Sequence, residues 1–442
     1  MSLARLKLQL DVLLAKAVEA AVRAGKELRE VRGMALYDGE KDIFITSLEP
    51  FAAVEAGVSE LQLVRERYGV DQSRPITLQL VYEYFARAKA VLMDSTLSDT
   101  LWADFLAELE SPVWLTRCVT NLRHFHCKDL RVELGDGVSI YGRSRDVLVA
   151  LGFDDGIRER LGADWSGFGA SSFVLVAETS ITKQPDNFIT EDNNEVWLRC
   201  ARAIGAMRLI ASGDVGISVI FVQRVARFNV GIGGILSMGN TVKTNGKLYA
   251  WRPELLPLFN ATYAALAHLE KVGYGNAPGN LDLALRAFMS TFDRFPTAMD
   301  TKLVDAITAL EAVLGSETEI AFKLSFRIAS LLGQTDEQRT MLLKAVKGFY
   351  DTRSRIVHGE HLRKKHSASL AVVDDLRDMV RKLLRCFVAY FAIDDVRPFD
   401  RRFFKEELDA ALVNASCRDQ LRESLGLTES TSRNAVLDDQ AG

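Results

Sequence analysis

The sequence predicts a mainly helical protein with a mixed α/β middle region and a C-terminal antiparallel helical bundle. Three observations predict it. Apolar residues recur at three- and four-residue steps over the first hundred or so positions. Between residues 116 and 145 apolar and polar positions alternate, punctuated by Gly135, Gly137 and Gly142. From about Glu254 the helical period returns, in successive segments with short connections.

The elements follow in order. Residues 2–31 read as an amphipathic helix carrying Leu3, Leu6, Leu10, Leu13, Leu14 and Ala17. A second helical region runs from about Pro50 to Leu109, with Pro75 expected to divide it. In the middle region, Val132, Leu134, Val138 and Ile140 mark short strands, and residues 172–177 and 215–222 two more. Residues 197–211 read as a helix and 241–251 as a loop or edge. The bundle follows, with helices expected over 281–292, 301–314, 320–332, 336–357 and 369–391. Gly333 and Gly359 are stops for the third and fourth. Beyond Pro398 a short helix reaches about Leu412, and 428–442 has the composition of a disordered tail. The expected division is 1–115 helical, 116–253 mixed, 254–395 bundle and 396–442 short helix and tail. No internal repeat is visible.

A chain of 442 residues with 48% hydrophobic residues can build two or three cores. The net charge of −4 argues against a protein that coats nucleic acid generally. Residues 344–365 are different, with seven Lys and Arg against Asp351 and Glu360, a local balance of +5 that suits a polyanion. Five scattered cysteines without a CxxC pair fit free thiols in a reducing compartment. With no apolar run of membrane-spanning length, the expected location is the cytoplasm and no membrane partner is expected.

The densest chemistry lies in Tyr350-Asp351-Thr352-Arg353-Ser354-Arg355-Ile356-Val357-His358-Gly359. A histidine moves protons near neutral pH. An arginine holds phosphate oxygens and offsets charge building on them. Those two groups suffice in principle to break a phosphodiester without a metal, so no cofactor is expected. On a straight helix, Ser354, Arg355 and Asp351 share the face of His358, and Asp351 is placed to orient its imidazole. Arg353, five residues back, points about 140° away. It reaches His358 only if its side chain bends around or a second subunit supplies it.

Three segments in order carry a resemblance: residues 302–314 (Lys302 to Leu314), residues 322–333 (Phe322 to Gly333) and the segment from Tyr350 to Gly359. Over roughly residues 280–395 the chain resembles the Apea-like branch of the HEPN superfamily. The family hallmark is an arginine, four to six residues, then a histidine; Arg353 and His358 match it with four between. The resemblance implies a four- or five-helix bundle that dimerises, with two motifs sharing one cleft. It also implies metal-independent endoribonuclease activity that leaves a cyclic phosphate. In that reading His358 takes the ribose 2′-hydroxyl proton and Arg353, with Arg355, stabilises the phosphorane. RNA is the expected partner. The residue after the arginine is often Asn, Asp or His in active relatives and is Ser354 here; relatives without activity act as binding or assembly modules. Members with extra domains look like bacterial toxins or anti-phage defence effectors. By that analogy residues 1–253 would sense a regulatory ligand or protein.

The remaining candidates are weaker. Glu311 and Arg327, lone charges on apolar helices, either face the cleft or pair with each other, and the pair is expected. His361 and His366, beside Arg363, Lys364 and Lys365, form either a phosphate-gripping loop or a solvated one. His124-Phe125-His126-Cys127 has the look of a metal half-site without a second ligand cluster. The glycines at 231–234 and 239–247 lack the spacing of a nucleotide-phosphate loop, and no Gly-x-Ser-x-Gly elbow occurs.

Overall fold

The structure, a computed structural model, describes residues 2–23, 43–88, 92–153, 171–184, 192–217, 219–225, 234–237, 246–272, 281–295, 297–315, 319–392 and 401–427. The expectations for 24–31, most of the 231–247 glycines and the 428–442 tail lie outside these residues. The chain divides into two compact units: residues 1–119, 177–198 and 221–236 in one, and 120–176, 199–220 and 237–442 in the other.

The first unit is helical at its N-terminal end. Helices α1 (Leu3–Arg23), α2 (Glu49–Glu60), α3 (Gln62–Arg67), α4 (Ser73–Arg87) and α5 (Ser95–Glu110) enclose a core that includes Leu10, Leu13, Val54, Leu80, Tyr84 and Phe105. Pro75 does not divide this region. It sits in the first turn of α4, where the backbone N–H groups lack intrahelical partners and a missing donor costs nothing. Asp94 caps α5 by accepting from the Leu97 N–H. Lys183, with no exposed side chain, pairs with Glu108 at 2.8 Å and lies over the rings of Tyr68 and Trp114.

Strands β1 (Val113–Leu122), β3 (Arg131–Gly135), β4 (Val138–Gly142), β5 (Phe173–Thr182), β6 (Val219–Val225) and β7 (Gly234–Ser237) form a sheet in the order β3-β4-β5-β1-β6-β7. A separate parallel pair joins β2 (Phe125–His126) to β8 (Tyr249–Ala250). In the second unit β3 and β4 form an antiparallel hairpin, with Val132 opposite Ile140. Its turn is Asp136-Gly137, both at positive φ (49° and 71°), the two-residue connection that matches strand twist. The Asp136 carboxylate accepts from Tyr263 Oη at 3.1 Å and pairs with Arg199 at 3.1 Å, so the turn is fixed to helices α7 (Asp192–Ile210) and α8 (Leu256–Val272). Short helix α6 (Arg145–Ala150) follows β4.

The rest of this unit is the expected helical bundle. It comprises α8, α9 (Leu281–Asp293), α10 (Met299–Leu314), α11 (Ile320–Leu332), α12 (Asp336–Val357), α13 (Lys364–Ala371), α14 (Val373–Phe391), α15 (Arg401–Val413) and α16 (Ala415–Ser424). Helices α9 and α10 pack together, as do α11 and α12, and α10 lies against both α12 and α14. Leu303, Ile307 and Leu310 of α10, Leu324 and Ile328 of α11, Val346 and Phe349 of α12 and Leu376, Val380, Leu383 and Phe387 of α14 are buried. The helix expected over 369–391 is instead two, broken at Val372 (φ −114°, ψ 28°). Helix α15 packs against α11, so the bundle continues past residue 395.

Arginines tie the bundle to the α/β elements of the same unit. Arg377 of α14 donates to Asp214 Oδ1 at 2.8 Å, to Asp374 Oδ1 at 2.9 Å and to Thr291 Oγ1 at 3.2 Å, and lies 4.4 Å over the Phe292 ring. Arg208 approaches the same ring at 4.5 Å and donates to the Val215 carbonyl at 2.9 Å; burial pushes its guanidinium pKa down. Burial alone would raise Asp214, but Arg377 and the Lys247 N–H more than offset it and hold the carboxyl below its usual range.

Candidate functional site

The site is the C-terminal half of α12 and the connection to α13. Helix α12 opens on a reciprocal capping box between Thr335 and Gln338 and buries Val346, Phe349 and Thr352 toward the bundle. It closes on a Schellman motif: the Gly359 N–H donates to the Ile356 carbonyl at 3.1 Å and the Glu360 N–H to the Arg355 carbonyl at 2.8 Å. Gly359 takes φ +67°, open to glycine and strained for other residues. This geometry puts His358 at the C-cap with its side chain exposed. Its backbone N–H donates to the Ser354 carbonyl at 3.0 Å.

Arg353 turns the other way, toward α10. Its Nη2 donates to Glu311 Oε2 at 3.2 Å, and its Nε is buried with no hydrogen-bond partner. Burial pushes the Glu311 carboxyl up, against the opposing pull of Arg353 and a hydrogen bond from Tyr350. Burial also raises the Tyr350 phenol, and the neighbouring Glu311 charge adds to the shift. The expected Glu311–Arg327 pair does not form. Arg327, 1% exposed, pairs instead with Asp409 of α15 at 2.6 Å and donates to the Leu314 carbonyl at 2.6 Å. A lone charge on an apolar stripe finds a partner, but here each finds one on another element.

The orienting role expected of Asp351 is also not seen. Its carboxylate faces α13, accepting from Lys365 Nζ at 2.8 Å and lying 3.1 Å from His366 Nε2. The Lys365 hydrogen bond, with help from His366, holds its carboxyl below the usual range. His366 is 1% exposed, so it is not part of a phosphate-gripping loop. Its Nδ1 accepts the Arg363 backbone N–H at 2.8 Å, so the ring proton sits on Nε2 and points at Asp351. That neutral ring starts α13 and fastens it to α12. Arg355 donates to Glu360 Oε2 at 2.7 Å and lies 3.7 Å from Asp351. Ser354 is half-buried, while His361, Arg363 and Lys364 are exposed.

Thus one chain presents His358 to solvent, between Ser354 behind it and exposed cations ahead of it. Arg353 is held on a different face of α12 by Glu311. Sequence reasoning missed Glu360 and the clasp made by His366; the only available signal for the latter was a side-chain acceptor three residues past the start of a helix. Among the described residues, no group of three or more His, Cys, Asp and Glu side chains is placed to hold a metal ion. His124 sits at φ +51°, and the backbone carbonyls of His124 and His126 accept from Tyr249 and Trp251. Among those residues no helix is long and apolar enough to cross a membrane. Comparison with protein-family models, with characterised proteins and with solved structures finds no match.

Proposed function

We propose that the protein is a HEPN-type, metal-independent endoribonuclease in which His358 is the general base and Arg353 the phosphate-stabilising group. The carrying observation is the exposed imidazole of His358, fixed at the end of α12 by the Gly359 turn and followed by Arg363 and Lys364. His358 takes the proton of a ribose 2′-hydroxyl, and the freed oxygen attacks the adjacent phosphorus. The bond from phosphorus to the 5′ oxygen breaks, that oxygen takes up a proton, and a 2′,3′-cyclic phosphate remains. Arg353, with Arg355, offsets the charge on the phosphorane. Glu311 holds the Arg353 guanidinium in place. Because Arg353 and His358 leave α12 in different directions, the shared-cleft homodimer of the resembled family is part of this reading. A role as a toxin or anti-phage defence effector, with residues 1–253 receiving a trigger, extends the same analogy.

A second reading, a non-catalytic RNA- or protein-binding module, is favoured by Ser354 and by the internal pairing of Arg353, Asp351 and Arg355. Incubation with RNA in EDTA, followed by analysis of product ends, separates the two. Fragments ending in cyclic phosphate that vanish in both Arg353→Ala and His358→Ala support the nuclease; RNA retained intact supports the module.

A further inference from the structure

On α12, Lys347, Ser354 and His358 lie within about 20° of one line, from the 100° turn per residue. Lys344 lies about 60° to one side. Asp351 shares the stripe but is occupied by Lys365 and His366. The stripe runs onto an aromatic pair of α11. Phe322 and Phe326 have ring centroids 4.3 Å apart, and Lys347 Nζ lies 5.6 Å and 5.5 Å over them. Phe322 is 49% exposed, whereas Leu324 and Ile328 on the same helix are fully buried. An exposed ring beside a lysine offers a π-face and a cation together, which suits an unpaired base and its phosphate rather than a neutral apolar partner. Duplex RNA keeps its base faces stacked internally and cannot use such a ring.

We infer that Phe322, with Lys347 and Lys344, forms a stacking subsite for single-stranded RNA on the His358 face of α12. The eleven-residue step from Lys347 to His358 is about 16 Å of helix. The subsite therefore holds a base a few nucleotides from the bond that His358 addresses. The inference rests on the nuclease reading for its choice of RNA and adds where an unpaired strand is gripped: at Phe322 and Lys347, away from the cut.

The test measures binding separately from cleavage. The probe is a fluorescent 2′-O-methyl RNA of about ten nucleotides. It keeps bases and phosphates but lacks the attacking hydroxyl. Phe322→Ala is expected to weaken its binding by roughly fivefold or more, the effect of losing one stacked base. Phe322→Trp should bind as wild type or tighter, and an abasic probe should be indifferent to both. Circular dichroism melts of the two variants report folding. Unchanged affinity in Phe322→Ala, or a wild-type protein that does not bind the probe, overturns the subsite. So does a change from dimer to monomer on sedimentation with affinity unaltered, which would make this face an interface between copies. Phe322-dependent binding with natural RNA left uncut keeps the subsite and removes the nuclease reading. His358-dependent cleavage with Phe322-indifferent binding does the reverse.

Discussion

The Arg353 guanidinium is bound to the Glu311 carboxylate, Nη2 to Oε2 at 3.2 Å, and so the arginine of the Arg–His motif is anchored to the neighbouring helix α10. Both side chains are largely shielded from water, so Glu311→Gln, which strands the Arg353 charge, is expected to cost about 1–2 kcal/mol in urea denaturation. The pH dependence has a definite sign. Burial raises the native Glu311 pKa, so the folded protein binds its proton more readily than the unfolded chain. That contribution to stability is present below the ordinary carboxyl range and is lost as pH rises through the raised value. Glu311→Gln should remove this slope.

Two glycines of one helix should respond in opposite directions. Gly359 at φ +67° requires a left-handed backbone, and Gly359→Ala is expected to cost about 1–2 kcal/mol and to shift His358. Gly348 lies inside α12, where an added Cβ meets the Ser369 Oγ at an ordinary 3.7 Å. Gly348→Ala should therefore stabilise by about 0.5–1 kcal/mol. Thermal and urea melts of the two variants check both signs.

His366 joins α13 to α12, so His366→Ala would leave the Arg363 N–H without its side-chain acceptor and open a cavity. A loss of about 2–3 kcal/mol is expected. The Asp351 carboxyl is held low by Lys365 and His366, so its contribution is present above the ordinary aspartate range and is lost as pH falls through the native value. Acid titration of stability in Asp351→Asn should lack that loss.

Arg377→Met removes the ion-pair partner of the largely buried Asp214 carboxylate and leaves it the Lys247 N–H. Breaking a buried pair from one side costs about 3–5 kcal/mol, and equilibrium unfolding should register a loss of that size. A double variant with Asp214→Asn should recover part of it.

The helices with strong stripes and clear ends were legible. The period and stops placed α11 and α12 at Ile320–Leu332 and Asp336–Val357, because Gly333 and Gly359 punctuate them chemically. The break at Val372 was not legible, since the apolar stripe continues through it on the other side of a single altered ψ. Pro75 misled because a proline signals a boundary without saying on which side of it the helix lies. The place of His358 at the end of its helix followed from the Gly359 stop. The partners of Glu311, Arg327 and Asp351 did not: any carboxylate or guanidinium in the chain satisfies the same rule, and the choice of Arg353, Asp409 and Lys365 belongs to tertiary packing. The Arg208–Phe292–Arg377 cluster was hidden for the same reason.

The central claim, proton transfer by His358, is tested most directly by single-turnover cleavage of a labelled single-stranded RNA in EDTA. Loss of general-base catalysis is worth about 10²–10⁴-fold, so His358→Ala should cut the rate by that factor while urea melts stay near wild type. Cleavage by His358→Ala at the wild-type rate, or the absence of cleavage by the wild-type protein, would contradict it.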